Sequence, residues 1–261
     1  MPVFNIYQLN NADQLDLFFS KSDGTLDLKK VSEKMEDFIA TSEDGEINGE
    51  GFLNINTTII EDKKIIESIA TGQGSLGYYN QAYISNEEVT SNRKQQTFYS
   101  KSRVFITEDN FLIILFDDTT EEKIKRNIKN LVESVGFEVT NFRLSDAIMR
   151  NIRNDYTWTE VRLERVDNES DSTKKVYYEI DAADNDNDSL IDKIYRDQGK
   201  MVQISFEMPY NKIKDGPNFI TVKLYKNDHR IVINASEFPK YEDMKTFIIH
   251  LTDILIKLQK K

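Results

Sequence analysis

The chain of 261 residues contains no cysteine and only two histidines. Without cysteine there is no disulfide, no thiolate nucleophile and no cysteine-ligated zinc or iron–sulfur site. Two histidines rule out, or nearly rule out, a zinc finger and a zinc protease. A chain without disulfides also suits a reducing compartment, so we predict a cytoplasmic protein, and we expect no cofactor.

Long apolar segments are missing as well. The longest uninterrupted one, FLIILF at 111–116, is far below the roughly 20 residues that a helix needs to cross a bilayer. The first residues, MPVFNIYQLNNADQ, have neither the basic start nor the apolar centre of a signal peptide. We therefore expect no membrane partner.

Positive charge is outnumbered, with 34 Lys and Arg against 45 Asp and Glu and a net charge of −11. Affinity for nucleic acid comes mainly from Lys and Arg at phosphates, so this balance disfavours nucleic acid unless a local basic patch opposes it. We expect this acidity to keep the protein soluble. An alternative is an acidic face that mimics DNA or binds a basic partner. Frequent Asn, Lys, Ile and Asp are typical of AT-rich genomes and favour a bacterial or mobile-element source.

Aromatic residues are abundant, with 15 Phe and 12 Tyr, and they favour pleated sheet. Two segments, 103–116 and 219–234, have apolar runs around a polar turn and are predicted hairpins. Each is followed by apolar residues at helical spacing, at 119–135 and 240–259. We predict an α+β fold whose antiparallel sheets are each backed by amphipathic helices, with a candidate repeated strand–strand–helix unit.

A polar segment without periodicity, DNESDSTK at 167–174, divides the chain. We predict an N-terminal α+β domain at 1–166 and a C-terminal α+β domain at 175–261. The alternative is that 167–174 is only the loop of a hairpin.

Glycine is concentrated in one pattern, because Gly72, Gly74 and Gly77 match G-x-G-x-x-G. A dinucleotide site needs a helix after the glycines, and a kinase needs further motifs, whereas here an aromatic strand at 76–84 follows. We predict a flexible loop at 72–77 and, after the aromatic strand, an exposed polar loop at 85–96.

Two groups of carboxylates are candidate metal ligands. Asp117 and Asp118 end an apolar strand, where acids can hold Mg²⁺. In a second group, carboxylates at alternate positions resemble the start of a calcium loop, with Asp192 beyond them, but Ser189 and Tyr195 stand where that loop needs Gly and Glu. The members of this second group are Asp184, Asp186 and Asp188. We expect a polar loop there and predict no metal.

The two histidines are predicted to be solvated. His229 falls in a hairpin turn and should be exposed, and His250 falls on the polar face of the last helix with Asp243 and Asp253. A histidine beside acids can act as a base, but single histidines on polar faces usually have no such role.

The best local candidate for nucleic acid is the basic and aromatic segment 93–103. Its cations would neutralise phosphate while its aromatic rings stack on bases. As a strand, this segment would place Tyr99, Lys101 and Arg103 on one face. Phe98 would lie on the other face. The predicted nucleic-acid-binding residues are Arg93, Lys94, Lys101 and Arg103.

No motif assembles nucleophiles, bases or metal ligands in a context that catalysis requires. We therefore predict a non-enzymatic interaction or regulatory protein that binds a protein partner, or itself, through an open sheet or a helix face. The alternatives are a metal-dependent nuclease or phosphohydrolase with a carboxylate site, and a nucleic-acid-binding module.

Overall fold

The computed structural model describes residues 2–11, 19–85, 87–117, 122–166, 172–181, 189–213 and 216–260. These residues form an α+β fold of antiparallel strands and helices, as predicted. The strands are β1 (Val3–Asn11), β2 (Ser42–Glu43), β3 (Glu46–Ile47), β4 (Gly51–Ile60), β5 (Lys63–Ser85), β6 (Glu88–Thr107), β7 (Phe111–Phe116), β8 (Phe137–Asn141), β9 (Thr157–Glu164), β10 (Lys175–Glu179), β11 (Lys200–Pro209), β12 (Phe219–Tyr225) and β13 (Arg230–Ile233). The helices are α1 (Leu28–Met35), α2 (Glu122–Val135), α3 (Asp146–Asp155), α4 (Leu190–Tyr195) and α5 (Tyr241–Gln259). None of the helices in these ranges is both long and apolar enough to cross a membrane.

The chain divides into two compact units. Unit 1 contains Met1–Ile6 and Asn141–Lys261, and unit 2 contains Tyr7–Thr140. The sequence instead predicts a boundary at 167–174. In the structure this segment connects β9 and β10, which pair with each other from Lys175↔Glu164 onward inside unit 1.

Unit 1 is a sheet with strand order β10–β9–β11–β12–β13 followed by the first residues of β1. The predicted hairpin at 219–234 is confirmed as β12 and β13, and the predicted helix at 240–259 is confirmed as α5. Its core contains large side chains from the sheet and from α5. The ring centres of Tyr210 and Phe247 lie 5.0 Å apart there. The largest fully buried side chains of this unit are Phe4, Phe206 and Phe247.

Unit 2 is a sheet with strand order β1–β7–β6–β5–β4, in which β8 also pairs with β1. The predicted hairpin at 103–116 is confirmed within β6 and β7, and α2 lies within the predicted helix 119–135. Apolar residues of the sheet and of α1 and α2 share one buried core. Among them are Met35, Ile66, Ala70, Val104, Ile106, Ile124 and Ile128.

Candidate interaction surface

The β5–β6 hairpin is far longer than the other strands. Its strands have 23 and 20 residues, whereas strands usually have about 5–6. The pairing with β4 reaches Thr71 of β5, and the pairing with β7 reaches Ser102 of β6. Beyond these points β5 and β6 continue to pair with each other as far as Ser85↔Glu88. We call residues 78–95 the arm. Its eight residue pairs extend over about 25 Å, at roughly 3.3 Å per residue.

The arm is exposed along its whole described length. It nevertheless carries large side chains with apolar surface, and Ile84 and Val89 near its end are 76 % and 77 % exposed. The exposed aromatic residues of the arm are Tyr78, Tyr79 and Tyr83. Exposed apolar side chains concentrated in one hairpin indicate a contact site, because covering them removes apolar surface from water.

We call residues 72–77 and 96–101, between the sheet and the arm, the root of the hairpin. Small residues let helix α2 pack on this root. A Cβ atom at Gly72 would lie 3.0 Å from Ile128 Cγ1 and 3.1 Å from the Ile124 carbonyl oxygen. At Gly74 it would lie 2.6 Å from the ring of Phe98. The prediction of a flexible loop at 72–77 is therefore wrong, because these residues lie inside β5 and the first two glycines make room for the core.

The third glycine marks a β-bulge where the arm begins. The register shifts between Ser75↔Thr97 and Gly77↔Gln96, so that Leu76 is the extra residue. Gly77 has a φ of +103°, a backbone conformation that side chains disfavour. Bulges bend and twist a strand locally, so this one sets the direction in which the arm leaves the root.

The register divides the arm into two faces, because directly opposite residues point to the same side. On the first face the Arg93 guanidinium lies 4.2 Å from the centre of the Tyr78 ring. On the second face the Tyr83 hydroxyl lies 3.2 Å from Asn92 Oδ1. The pairs of the first face are Tyr78–Gln95, Asn80–Arg93, Ala82–Ser91 and Ile84–Val89; those of the second are Tyr79–Lys94, Gln81–Asn92, Tyr83–Thr90 and Ser85–Glu88.

Both outer edges of the arm are open within the part of the chain that the structure describes. No described strand pairs with β5 beyond Thr71 on that edge or with β6 before Ser102 on the other. Open edges present unpaired backbone N–H and C=O groups and can add a further strand. The arm also has no net charge, because the two carboxylates of Glu87 and Glu88 offset the positive charges of Arg93 and Lys94.

The four cations predicted to bind nucleic acid fall into two pairs. Arg93 and Lys94 lie on the arm. Lys101 lies 3.4 Å from Asp117, and Arg103 lies 3.4 Å from Glu67. Two of the four positive charges are therefore already matched by carboxylates.

The secondary structure predicted around these cations was right in one part and wrong in another. The predicted exposed loop at 85–96 is wrong, because Glu88–Thr107 is strand β6. The alternation predicted for 93–103 is confirmed. Tyr99 pairs with Gln73 on one face, and Phe98 packs against the core on the other.

The candidate metal ligands do not form a cluster in the described residues. Asp117 is paired with Lys101, and Asp118 lies outside the described residues, as do Asp184, Asp186 and Asp188. Asp192 is buried and paired with Arg153 and Arg196. No group of three or more acids or histidines able to hold a metal ion occurs in the ranges given above.

The two histidines have structural contacts. His229 is half-buried rather than exposed, and its Nδ1 accepts a 3.4 Å hydrogen bond from the Leu144 N–H. Burial lowers the pKa of His229 below its usual value, which favours the neutral ring that this bond requires. The ring of His250 lies 5.3 Å from that of Tyr210.

No family model matches the chain, and no curated protein matches its sequence significantly. The geometry of the arm is therefore the basis on which a function can be inferred.

Proposed function

We propose that the protein is a non-enzymatic interaction protein that binds a macromolecular partner through the arm. The observation that carries this proposal is the exposure of every described residue of the arm, including Ile84 and Val89. The strands β5 and β6 extend into the arm well beyond the residues that contribute to the core of unit 2. Covering such side chains removes apolar surface from water and supplies free energy for association.

The open edges support the same proposal by a second mechanism. A partner strand that pairs with an edge gains a row of backbone hydrogen bonds, and side chains on alternate positions then determine specificity. The arm is suited to this mode because its strands already have extended geometry and require little ordering on binding.

The two alternative functions have less support. For a nuclease or phosphohydrolase, the described carboxylate Asp117 is held by Lys101. For a nucleic-acid-binding module, Lys101 and Arg103 face carboxylates, and Arg93 and Lys94 are offset by the two acids of the arm. Binding to phosphates needs an excess of positive charge, which the arm does not have.

Several predictions from the sequence belong with this proposal. A cytoplasmic location and a bacterial or mobile-element source follow from composition alone. The strand–strand–helix order occurs in β6–β7–α2 and in β12–β13–α5. That these two segments are a duplicated unit, with each sheet backed by its helix, stays a hypothesis.

The test is removal of the arm without disturbing its root. Replacing residues 78–95 by Asn-Gly joins Gly77 to Gln96, which are opposite each other in the hairpin, through a favoured two-residue turn. We expect Tm to change by only a few degrees, because no residue of the arm belongs to the buried core. We expect the complexes that the wild type forms, in size-exclusion chromatography and in cross-linking from lysate, to disappear.

The matched control removes exposed aromatic surface elsewhere. Tyr177 and Phe219 of unit 1 are 57 % and 49 % exposed, so Tyr177→Ser with Phe219→Ser should leave every complex intact. An armless protein that keeps all complexes of the wild type would refute the proposal.

A further inference from the structure

We propose that the partner of the arm is a second copy of this chain, with the two β6 strands pairing edge to edge and antiparallel around a two-fold axis at Ser91. This inference rests on the proposed function of the arm. The result would be a four-stranded sheet in the order β5–β6–β6–β5, with each arm contributing one hairpin.

Symmetry restricts the registers that such a pair can adopt. Antiparallel neighbours related by a two-fold axis must place residues of the same face opposite each other. Shifting one β6 strand by one residue would place Thr90 of one copy opposite Ser91 of the other. This register is excluded because the two residues lie on different faces of the arm. The two-fold axis therefore lies midway between one residue of β6 and the same residue of the second copy.

Charge selects one of the remaining registers. With Ser91 opposite Ser91, Glu88 of each copy stands opposite Lys94 of the other, on the second face of the arm. Both residues belong to β6 and share that face, so two symmetric ion pairs form. A slip by two residues in either direction opposes Glu88 to Asn92 or to Gln96 and loses both pairs. One of these slips would place Glu87 level with Arg93, but Glu87 lies in the turn and not in β6. Opposite charges placed directly across two strands stabilise the sheet.

The apolar side chains fit the same register. Val89 stands opposite Arg93 of the second copy on the first face of the arm. There the Arg93 guanidinium is held over the Tyr78 ring, which leaves the aliphatic stem of Arg93 available to cover Val89. Val89, the most exposed apolar residue of the arm, would therefore lose part of its contact with water at both ends of the interface.

The other edge offers no comparable preference. The arm segment of β5, Tyr78–Ser85, contains no charged residue. Pairing through β5 would therefore leave no register favoured by charge, whereas the β6 edge carries complementary charges six residues apart on one face.

Charge reversal tests the register directly. Light scattering of the wild type should give twice the mass of one chain. Glu88→Lys and Lys94→Glu each place like charges opposite each other, so each variant alone should associate at least ten-fold more weakly. An equimolar mixture should form a heterodimer, because every opposed pair is then attractive, and the double variant should recover the wild-type mass. Single variants that dimerise like the wild type, or a mixture that stays monomeric, would reject this register.

Cysteine cross-linking provides a second measurement. Because the chain has no cysteine, Ser91→Cys introduces a single thiol. Residues opposite each other have Cα atoms about 4.5–5.5 Å apart, within the range for a disulfide. Ala82→Cys is the matched control. Ala82 faces Ser91 in the same hairpin, but in the dimer it is three strand spacings, roughly 14 Å, from its own copy. Oxidation should link Ser91→Cys and not Ala82→Cys, and equal behaviour of the two variants would reject the proposal.

The outcomes also separate this inference from the proposed function. A monomeric wild type whose arm is required for a complex with another protein, or with DNA, would reject self-pairing and keep the arm as the binding element. A monomeric wild type that behaves like the armless protein in every assay would reject both.

Discussion

Asp192 shows how far the role of a single residue depends on partners that are distant in sequence. It is 4 % exposed, and its carboxylate accepts hydrogen bonds from Arg153, from Arg196 and from the Tyr178 hydroxyl at 2.7 Å. Arg153 also lies over the ring of Trp158. A buried carboxylate is stable only when paired in this way. Local spacing placed Asp192 beside a calcium-like loop, because sequence pattern does not reveal partners 14 and 39 residues away.

The Tyr178 hydroxyl makes this cluster sensitive to alkaline pH. Burial, and then the hydrogen bond to Asp192, raise the pKa of Tyr178 well above its usual value of 10.0. Above pH 10 the unfolded chain loses this proton while the folded chain keeps it, so the free energy of unfolding falls as pH rises. In Tyr178→Phe no hydroxyl titrates at this position, so this fall in the free energy of unfolding with pH is absent. The variant should be less stable than the wild type by about 1–2 kcal/mol at pH 8, through the lost hydrogen bond.

The two stability curves should approach each other between pH 10 and 11. Urea unfolding at pH 8 and at half-unit steps above pH 9.5 measures both proteins, and the difference at pH 8 is the internal control. A difference that stays constant over the whole range would contradict the assigned role of Tyr178.

At the scale of elements, patterns were informative where one face of a segment is buried. The hairpin in 103–116 and the helix at 240–259 were predicted because apolar residues recur on their inner faces. The β6 half of the arm was predicted as a loop because both of its faces are exposed, so that 85–96 shows no apolar alternation. The packing role of Gly72 is not visible in the sequence for a related reason, since the close approach of Ile128 is a tertiary contact.

The turn of the arm offers a prediction at this scale. Glu87 has a φ of +67°, which costs free energy for any residue with a Cβ atom. Glu87→Gly removes that cost and creates Asn-Gly, the most favoured pair for a two-residue hairpin turn. We expect the arm to be stabilised by about 0.5–1 kcal/mol, so that exchange of those amides in 89–94 that bond to β5 slows roughly two- to five-fold.

The control separates backbone strain from charge. Glu87→Ala removes the carboxylate and keeps the Cβ atom, so its exchange rates in the arm should match those of the wild type within about two-fold. Equal slowing in the alanine and glycine variants would show that charge, and not the left-handed backbone, limits the stability of the arm.

At the scale of the whole molecule, the two compact units follow from strand pairs between distant parts of the chain. Val3 pairs with Val232, and the Asn5 side chain donates to the carbonyls of Asp228 and His229. Composition and local pattern carry no information about such pairs, which is why the sequence places a boundary at 167–174 while the first residues of the chain belong with 141–261.

Cleavage of the chain between β9 and β10 distinguishes these two descriptions. A protease site inserted at 167–171 yields one fragment with β9 and the first residues of β1 and another with β10 to β13, all of which belong to unit 1. Because β9 pairs with both β10 and β11, and β1 with β13, the cut protein should elute as one species and separate only in denaturant. The uncut protein with the same insertion is the control. Fragments that separate in native buffer and each keep a cooperative unfolding transition would instead establish independent domains at 1–166 and 175–261.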